Sequence, residues 1–355
     1  MKKIIFIVFI VGGLYAQSQT ARTYSNEFLN IGVSARALAM GNAVVAQTTD
    51  VTSGYWNPAG LSKVHNQQIS LMHAAYFANI AQYDYIGFAK PLNDKTSVGV
   101  SLIRFGVDNI MNTTQLIDEQ GNINYDRISY FSTGDYALNL SLGHQNLMEG
   151  LDVGATAKLI YRHIGNFASG YGFGFDIGAQ YHLQNWQFGL MARDITTTFN
   201  YWRINQSAFD DIAQSIPGQN QEAPSKIELT LPKLQLGVNR IFHLKEHLDL
   251  STEMDINMRF FKMHSLISSN FVSVNPALGV EVNYYKTAFL RLGVNNFQKE
   301  QYFDNQEVTF QPNAGLGFKY KGIAVDYALT NIGSSGFFSH VFSLQIDLDR
   351  FFNKK

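Results

Sequence analysis

From about residue 66 onward the chain alternates, again and again, between apolar residues and small or polar ones. Between Tyr171 and Tyr181 one parity reads Tyr171, Phe173, Phe175, Ile177, Ala179, Tyr181; the other reads Gly172, Gly174, Asp176, Gly178, Gln180. Successive residues of a strand point to opposite faces, so this segment has one greasy face and one small or polar face. Leu151, Val153, Ala155, Ala157, Leu159 and Tyr161 likewise oppose Asp152, Gly154, Thr156, Lys158 and Arg162, and Phe342, Leu344, Ile346 and Leu348 oppose Ser343, Gln345 and Asp347. A soluble sandwich would bury its apolar face against a second sheet, and would rarely keep so many charges on the other parity of strands this long. The composition agrees with a sheet wet on one side only: 18 Tyr, 27 Phe and 29 Gly against 7 Pro.

Fourteen such segments are expected, near 67–78, 80–91, 95–107, 133–146, 150–164, 170–183, 185–195, 227–242, 246–260, 273–284, 286–297, 312–320, 322–330 and 338–349. Tight turns at 92–94, 146–150, 184–185, 244–246, 285–286 and 321–322 alternate with longer loops at 108–132, 165–169, 196–226, 261–272, 298–311 and 331–337. Short turns on one side and longer loops on the other are the asymmetry of outer-membrane barrels, with the short turns in the periplasm. No later stretch approaches 18 consecutive apolar residues, so a membrane role requires a closed sheet, in which every backbone group is satisfied within lipid. The expected class is therefore all-β: an antiparallel transmembrane barrel of about fourteen strands in the cell outer membrane, its wall in contact with lipid.

Met1-Lys2-Lys3, the apolar run Ile4–Val11 and Gly12-Gly13-Leu14-Tyr15-Ala16 have signal-peptide architecture, with cleavage expected before Gln17. The division that follows is a signal peptide over 1–16, an N-terminal segment over 17–65 and a barrel over 66–355. With 27 basic and 28 acidic residues there is no net charge to recruit nucleic acid, and with no cysteine there is neither a disulfide framework nor a lipidated N-terminal Cys. His243-Leu244-Lys245-Glu246-His247 spells a zinc-hydrolase motif, but that chemistry needs both histidines on one helical face, and here the residues join two alternating segments. The glycines of 170–174 lie on one parity of a strand rather than in a phosphate-binding turn, which must open a helix. No catalytic residue, metal site or cofactor is expected, and the chain reads as a non-enzyme. Charges on the inward parity, among them Lys158, Asp176, Glu253, Asp255, Glu281, Arg291 and Asp326, read as pairs that fill the barrel.

Residues 20–65 do not alternate, and their small-residue stretches suit a compact segment threaded into a lumen. Tyr24-Ser25-Asn26-Glu27-Phe28-Leu29-Asn30-Ile31-Gly32, the stretch Ser34 to Gly41, and Tyr55-Trp56-Asn57-Pro58-Ala59-Gly60-Leu61 resemble the PorV/PorQ family of Bacteroidota, within the FadL-like barrel superfamily. Val325-Asp326-Tyr327-Ala328-Leu329 and His340-Val341-Phe342-Ser343-Leu344 are similar to that family as well. The resemblance implies a fourteen-stranded barrel whose N-terminal hatch carries Asn57, Pro58 and Ala59 in the lumen. It implies an accessory role in type IX secretion, engaging the translocon barrel or the C-terminal sorting domains of cargo. The alternative is a FadL-like transporter of fatty acids or other hydrophobic molecules, which an apolar pocket beside Asn57-Pro58-Ala59 and a kinked or gapped third strand would mark. The aromatic loop near 196–226, with Phe199, Tyr201, Trp202 and Phe209, is the expected partner-binding surface.

Overall fold

A sheet with one apolar face escapes its exposed edges by closing on itself, and this chain does so. The computed structural model describes residues 25–117, 121–208, 226–263, 265–302, 305–331 and 338–352. Its strands in chain order are β1 (Gln68–Tyr76), β2 (Ala81–Asn93), β3 (Thr96–Asn112), β4 (Ser129–Met148), β5 (Leu151–Ile164), β6 (Ala168–Leu183), β7 (Trp186–Arg193), β8 (Thr198–Ile204), β9 (Ile227–Thr230), β10 (Lys233–Lys245), β11 (Leu248–Arg259), β12 (Ile267–Ser268), β13 (Ser273–Tyr284), β14 (Ala288–Tyr302), β15 (Asn305–Tyr320), β16 (Ile323–Asn331) and β17 (Phe338–Asp347). Chain neighbours pair antiparallel from β1 to β7 and from β13 to β17, β10 pairs with β11, β7 pairs with β10, β11 with β13, and β17 returns to β1. The wall is thus a closed ring of fourteen strands, with β8, β9 and β12 added at the end that carries the longer connections, here the outer end. Among the described residues no helix is long and apolar enough to cross a membrane.

The alternation decides which way each side chain points. Leu140, Leu159, Phe173, Ile177, Leu292 and Phe342 are exposed on the outside, while Asn139, Thr156, Lys158, Asp176, Arg291 and Ser343 are buried inside. Tyr171 and Tyr161 mark the outer end of the apolar belt, and Tyr181, Tyr284 and Tyr320 its inner end. The ten steps from Tyr171 to Tyr181, at ~3.3 Å each and a tilt of ~40°, span about 25 Å, the height of a lipid-facing band.

The structure departs from the expected boundaries mostly at the outer end. The segment expected over 227–242 is two strands, broken at Leu231-Pro232, where proline has no N–H to give to a ladder. The stretch expected as a loop from 196 contains β8, which follows a turn with Asp194 and Thr197 at positive φ and pairs with the outer extension of β6. β14 and β15 run as a hairpin past the expected 297 and 312. Beyond the belt neither face of a strand needs to be apolar, so the alternation that marks the wall fades there.

Candidate functional site

Residues 25–65 meet the inward parity of the wall from the outer end to the inner one. A 3-10 turn at Glu27–Asn30, short helices at Ala35–Ala39 and Ser53–Trp56, and a 3-10 stretch at Pro58–Lys63 carry the contacts. At the outer end Ser25 donates to Glu228 (2.9 Å), Asn26 to Thr230 (2.9 Å), and Arg259 pairs with Glu27 (3.2 Å). At mid-height Arg36 meets Glu281 at 3.0 Å, Glu281 meets Arg291 at 2.6 Å, and Arg291 reaches Asp326 at 2.6 Å. Glu281 beside it holds the Arg36 guanidinium above its ordinary value. The backbone N–H groups of Val44, Val45 and Ala46 lie outside regular structure, and they donate to Asp255 (3.0 and 3.2 Å) and Glu253 (2.7 Å). At the inner end Lys63 pairs with Asp152 at 2.9 Å, and Ser97 donates to the carbonyl of Val64 at 2.9 Å.

Asn57, Pro58 and Ala59 are buried against the wall. Asn57 is extended (φ −159°), and its Oδ1 accepts from the N–H of Ala59 at 3.2 Å, which opens the 3-10 turn on Pro58. Its Nδ2 donates to the carbonyls of Val45 (2.9 Å) and Ala179 (3.0 Å), joining segment to wall. Close approach requires glycine opposite: a Cβ on Gly178 would lie 2.0 Å from Asn57 Oδ1, and one on Gly154 2.3 Å from the carbonyl carbon of Pro58. Gly143, Gly154 and Gly178 stand directly opposite one another on β4, β5 and β6, so the wall presents a strip without side chains at this height. The third strand is paired with both neighbours from Thr96 to Val107, and its irregularity falls beyond, between Val107 and Ile110.

Tyr55 and Trp56, at the end of the Ser53–Trp56 helix, lie under Arg193, whose guanidinium carbon is 4.5 and 5.7 Å from their ring centres. Tyr55 donates to the carbonyl of Leu29 at 2.6 Å, and burial raises its hydroxyl above the ordinary value while Arg193 opposes the shift. Above these rings is a cavity of about 640 Å³. Arg193, Lys233, Arg259 and Lys262 line it, Glu27 is the carboxylate in that lining, and much of the remaining wall is amide, including Asn30, Asn257 and Asn275. Such a vestibule favours a polar or anionic occupant over an alkyl chain.

The expected aromatic surface is divided. Phe199 and Tyr201 face outward on β8, opposite Phe173 and Tyr171, and are exposed. Trp202 faces inward beneath Arg162, 5.1 Å from its ring centre, and is buried. Phe209 and the signal peptide over 1–16 lie outside the described residues. The His243–His247 motif sits at the end of β10 and the turn into β11: His243 meets Asp249 at 2.7 Å and His247 stacks on Tyr285. Sequence reasoning placed the inward acids and bases on the correct face but did not single out Lys233, Arg259 and Lys262. Their clustering at one mouth follows from two strand ends meeting, the start of β10 and the end of β11, and their signal in sequence is only that each lies near an outer strand terminus.

Comparison with known proteins adds the family. No curated protein matches the chain. Among solved structures, a Pseudomonas aeruginosa FadL homologue is similar over 89% of this chain and 98% of its own, with a TM-score of 0.50 at 10% identity. The Pseudomonas putida toluene transporter TodX covers 92% and 98%, with a TM-score of 0.53 at 14% identity. The CymD monoaromatic hydrocarbon channel covers 89% and 96%, with a TM-score of 0.53 at 12% identity. At these identities the likeness is one of fold, a FadL-like barrel. The family model for the type IX secretion system protein PorV matches residues 15–254, which include the segment that pairs with the wall and the strands it touches first. The chain therefore belongs to the PorV family of type IX secretion system proteins.

Proposed function

We propose that this protein is an outer-membrane accessory of the type IX secretion system that binds the translocon barrel or the sorting domains of secreted cargo at its outer face. In this reading residues 25–65 act as a fixed hatch, and the barrel serves as a docking body with no catalytic step. The observation that carries the reading is the outer vestibule, with Arg193, Arg259 and Lys262 around a floor made by Tyr55 and Trp56. A basic, amide-rich cup of about 640 Å³ suits the carboxylate-bearing end or acidic edge of a polypeptide. Phe199 and Tyr201, exposed on β8, add aromatic contact area beside the mouth.

Hydrophobic transport is the less supported role. Asn57, Pro58 and Ala59 are fully buried against the glycine strip, and the third strand is paired where a lateral gap would be needed. The test is affinity purification of the tagged protein from gently solubilised outer membranes, with wild type beside Lys233→Glu/Arg259→Glu. Recovery of a translocon barrel or of sorting-domain proteins with the wild type, reduced at least tenfold in the variant, supports the accessory role. Recovery of the barrel alone with lipid in its lumen replaces that role with hydrophobic transport.

A further inference from the structure

Arg193, Lys233 and Arg259 stand directly opposite one another on β7, β10 and β11 and point inward. Three basic side chains in one cross-strand row repel as cations, so each needs a partner. Arg259 has Glu27 at 3.2 Å, and Arg193 has Gln235 at 2.7 Å and the ring of Tyr55. Lys233, the middle one, has no carboxylate within ion-pair distance among the described residues. Its Nζ instead donates to Oδ1 of Asn30, in the 3-10 turn Glu27–Asn30 of the N-terminal segment.

The same turn sets a carboxylate on that amide. Side chains three apart eclipse in a 3-10 helix, and Asn30 Nδ2 donates to Glu27 Oε2 at 2.8 Å. An amine, a primary amide and a carboxylate therefore lie in one hydrogen-bonded chain. Cγ of Asn30 is one carbonyl bond, ~1.2 Å, from Oδ1, which leaves the Lys233 amine no more than about 3.5 Å from it, a near-attack separation. The guanidiniums on either side disfavour a third positive charge, and the neutral amine is the nucleophilic form.

From this arrangement we infer that Lys233 and Asn30 form an isopeptide bond, which fastens the N-terminal segment covalently to the barrel wall. Lys233 Nζ attacks Cγ, and the carbonyl electron pair moves onto Oδ1 in the positive field of Arg193 and Arg259. Glu27 takes a proton from Nζ and passes it to Nδ2. The Cγ–Nδ2 bond then breaks, its electron pair leaves with the nitrogen as ammonia, and the carbonyl reforms. The products are a secondary amide and ammonia; nothing is oxidised or reduced, and no co-reactant is needed. A cavity of about 20 Å³, room for one water-sized molecule, is lined by Glu27, Asn30, Lys233 and Arg259 and gives the ammonia a place to go. The bond closes a loop from residue 30 to residue 233, so the outer end of the segment stays with the wall even when its hydrogen bonds open. The inference stands apart from the accessory role, since the bond needs only this chain.

Mass spectrometry of the full chain tests it. Protein extracted from outer membranes is unfolded and digested with a protease that cuts at acidic residues. The expected product is a branched peptide that joins the stretch around Asn30 to the stretch around Lys233, about 17 Da lighter than the two together, the mass of ammonia. The branched peptide is the readout rather than the intact mass, because cyclisation of an N-terminal Gln or of an Asn loses ammonia as well. Asn30→Ala and Lys233→Arg should each abolish it while the barrel keeps the heat-modifiable migration of a folded wall. The carboxylate is tested by rate: chain produced as inclusion bodies is refolded into detergent and sampled over time. The link should appear after folding in the wild type and form roughly a hundredfold more slowly in Glu27→Gln. Recovery of both linear peptides from folded wild-type protein, with no branched one, would overturn the bond. An equal rate in Glu27→Gln would overturn the role given to Glu27.

Discussion

Gly178→Ala tests whether the fit between Asn57 and the wall holds residues 25–65 in place. The new Cβ would stand 2.0 Å from Asn57 Oδ1 and 2.8 Å from Pro58 Cδ, so the segment must shift. Overpacking of this kind costs ~1–3 kcal/mol, and straining the buried Asn57 bonds to Val45 and Ala179 adds ~1–3 kcal/mol, for a total of about 2–6 kcal/mol. The cost falls on docking of the segment rather than on the strand ladders, which glycine and alanine can both occupy. Hydrogen exchange in detergent-folded protein reads it directly. Backbone amides over 44–61 should exchange roughly thirty- to twenty-thousand-fold faster at one decade per ~1.4 kcal/mol, while β4–β6 amides stay protected. Adding Asn57→Ala removes the atom that clashes, so the double variant should cost at least ~1 kcal/mol less than the sum of the singles. Gly154→Ala is the control, because its Cβ would meet the Pro58 backbone and Asn57→Ala cannot relieve it. Unchanged exchange over 44–61, or additive costs for Gly178→Ala and Asn57→Ala, would refute the reasoning.

Arg291→Leu removes the guanidinium that joins Glu281 and Asp326; Glu281 keeps Arg36, while Asp326 loses the cation that pairs with it. Urea unfolding in lipid vesicles should show a loss of about 3–5 kcal/mol, and Asp326→Asn in the same background should recover part of it. Lys158→Met strips the counter-ion from Asp176 (2.8 Å) and Asp194 (2.5 Å), with a similar ~3–5 kcal/mol expected, and protease sensitivity rising first at the turn after Arg193. Tyr55→Phe loses the 2.6 Å bond to Leu29 and leaves that carbonyl buried, which should cost about 1–3 kcal/mol and raise exchange at 26–31 ahead of the wall.

The strand count and the inward and outward faces were legible in the sequence, because a strand's side-chain direction is a local property with a period of two. The signal failed where its physical cause is absent. Beyond the belt, the outer ends of β14 and β15 have no lipid to face and no reason to alternate.

What the sequence determined by itself is the barrel: fourteen amphipathic strands, short turns alternating with longer connections, and an inward parity too charged to stand unpaired. What the tertiary structure decided is the pairing. Arg36 finds Glu281 245 residues away, and the N–H of Ala35 finds Ser343 308 residues away. No local pattern encodes contacts of that span. They exist because ring closure brings β13 and β17 around one segment, and because glycines at matching heights leave room for its backbone.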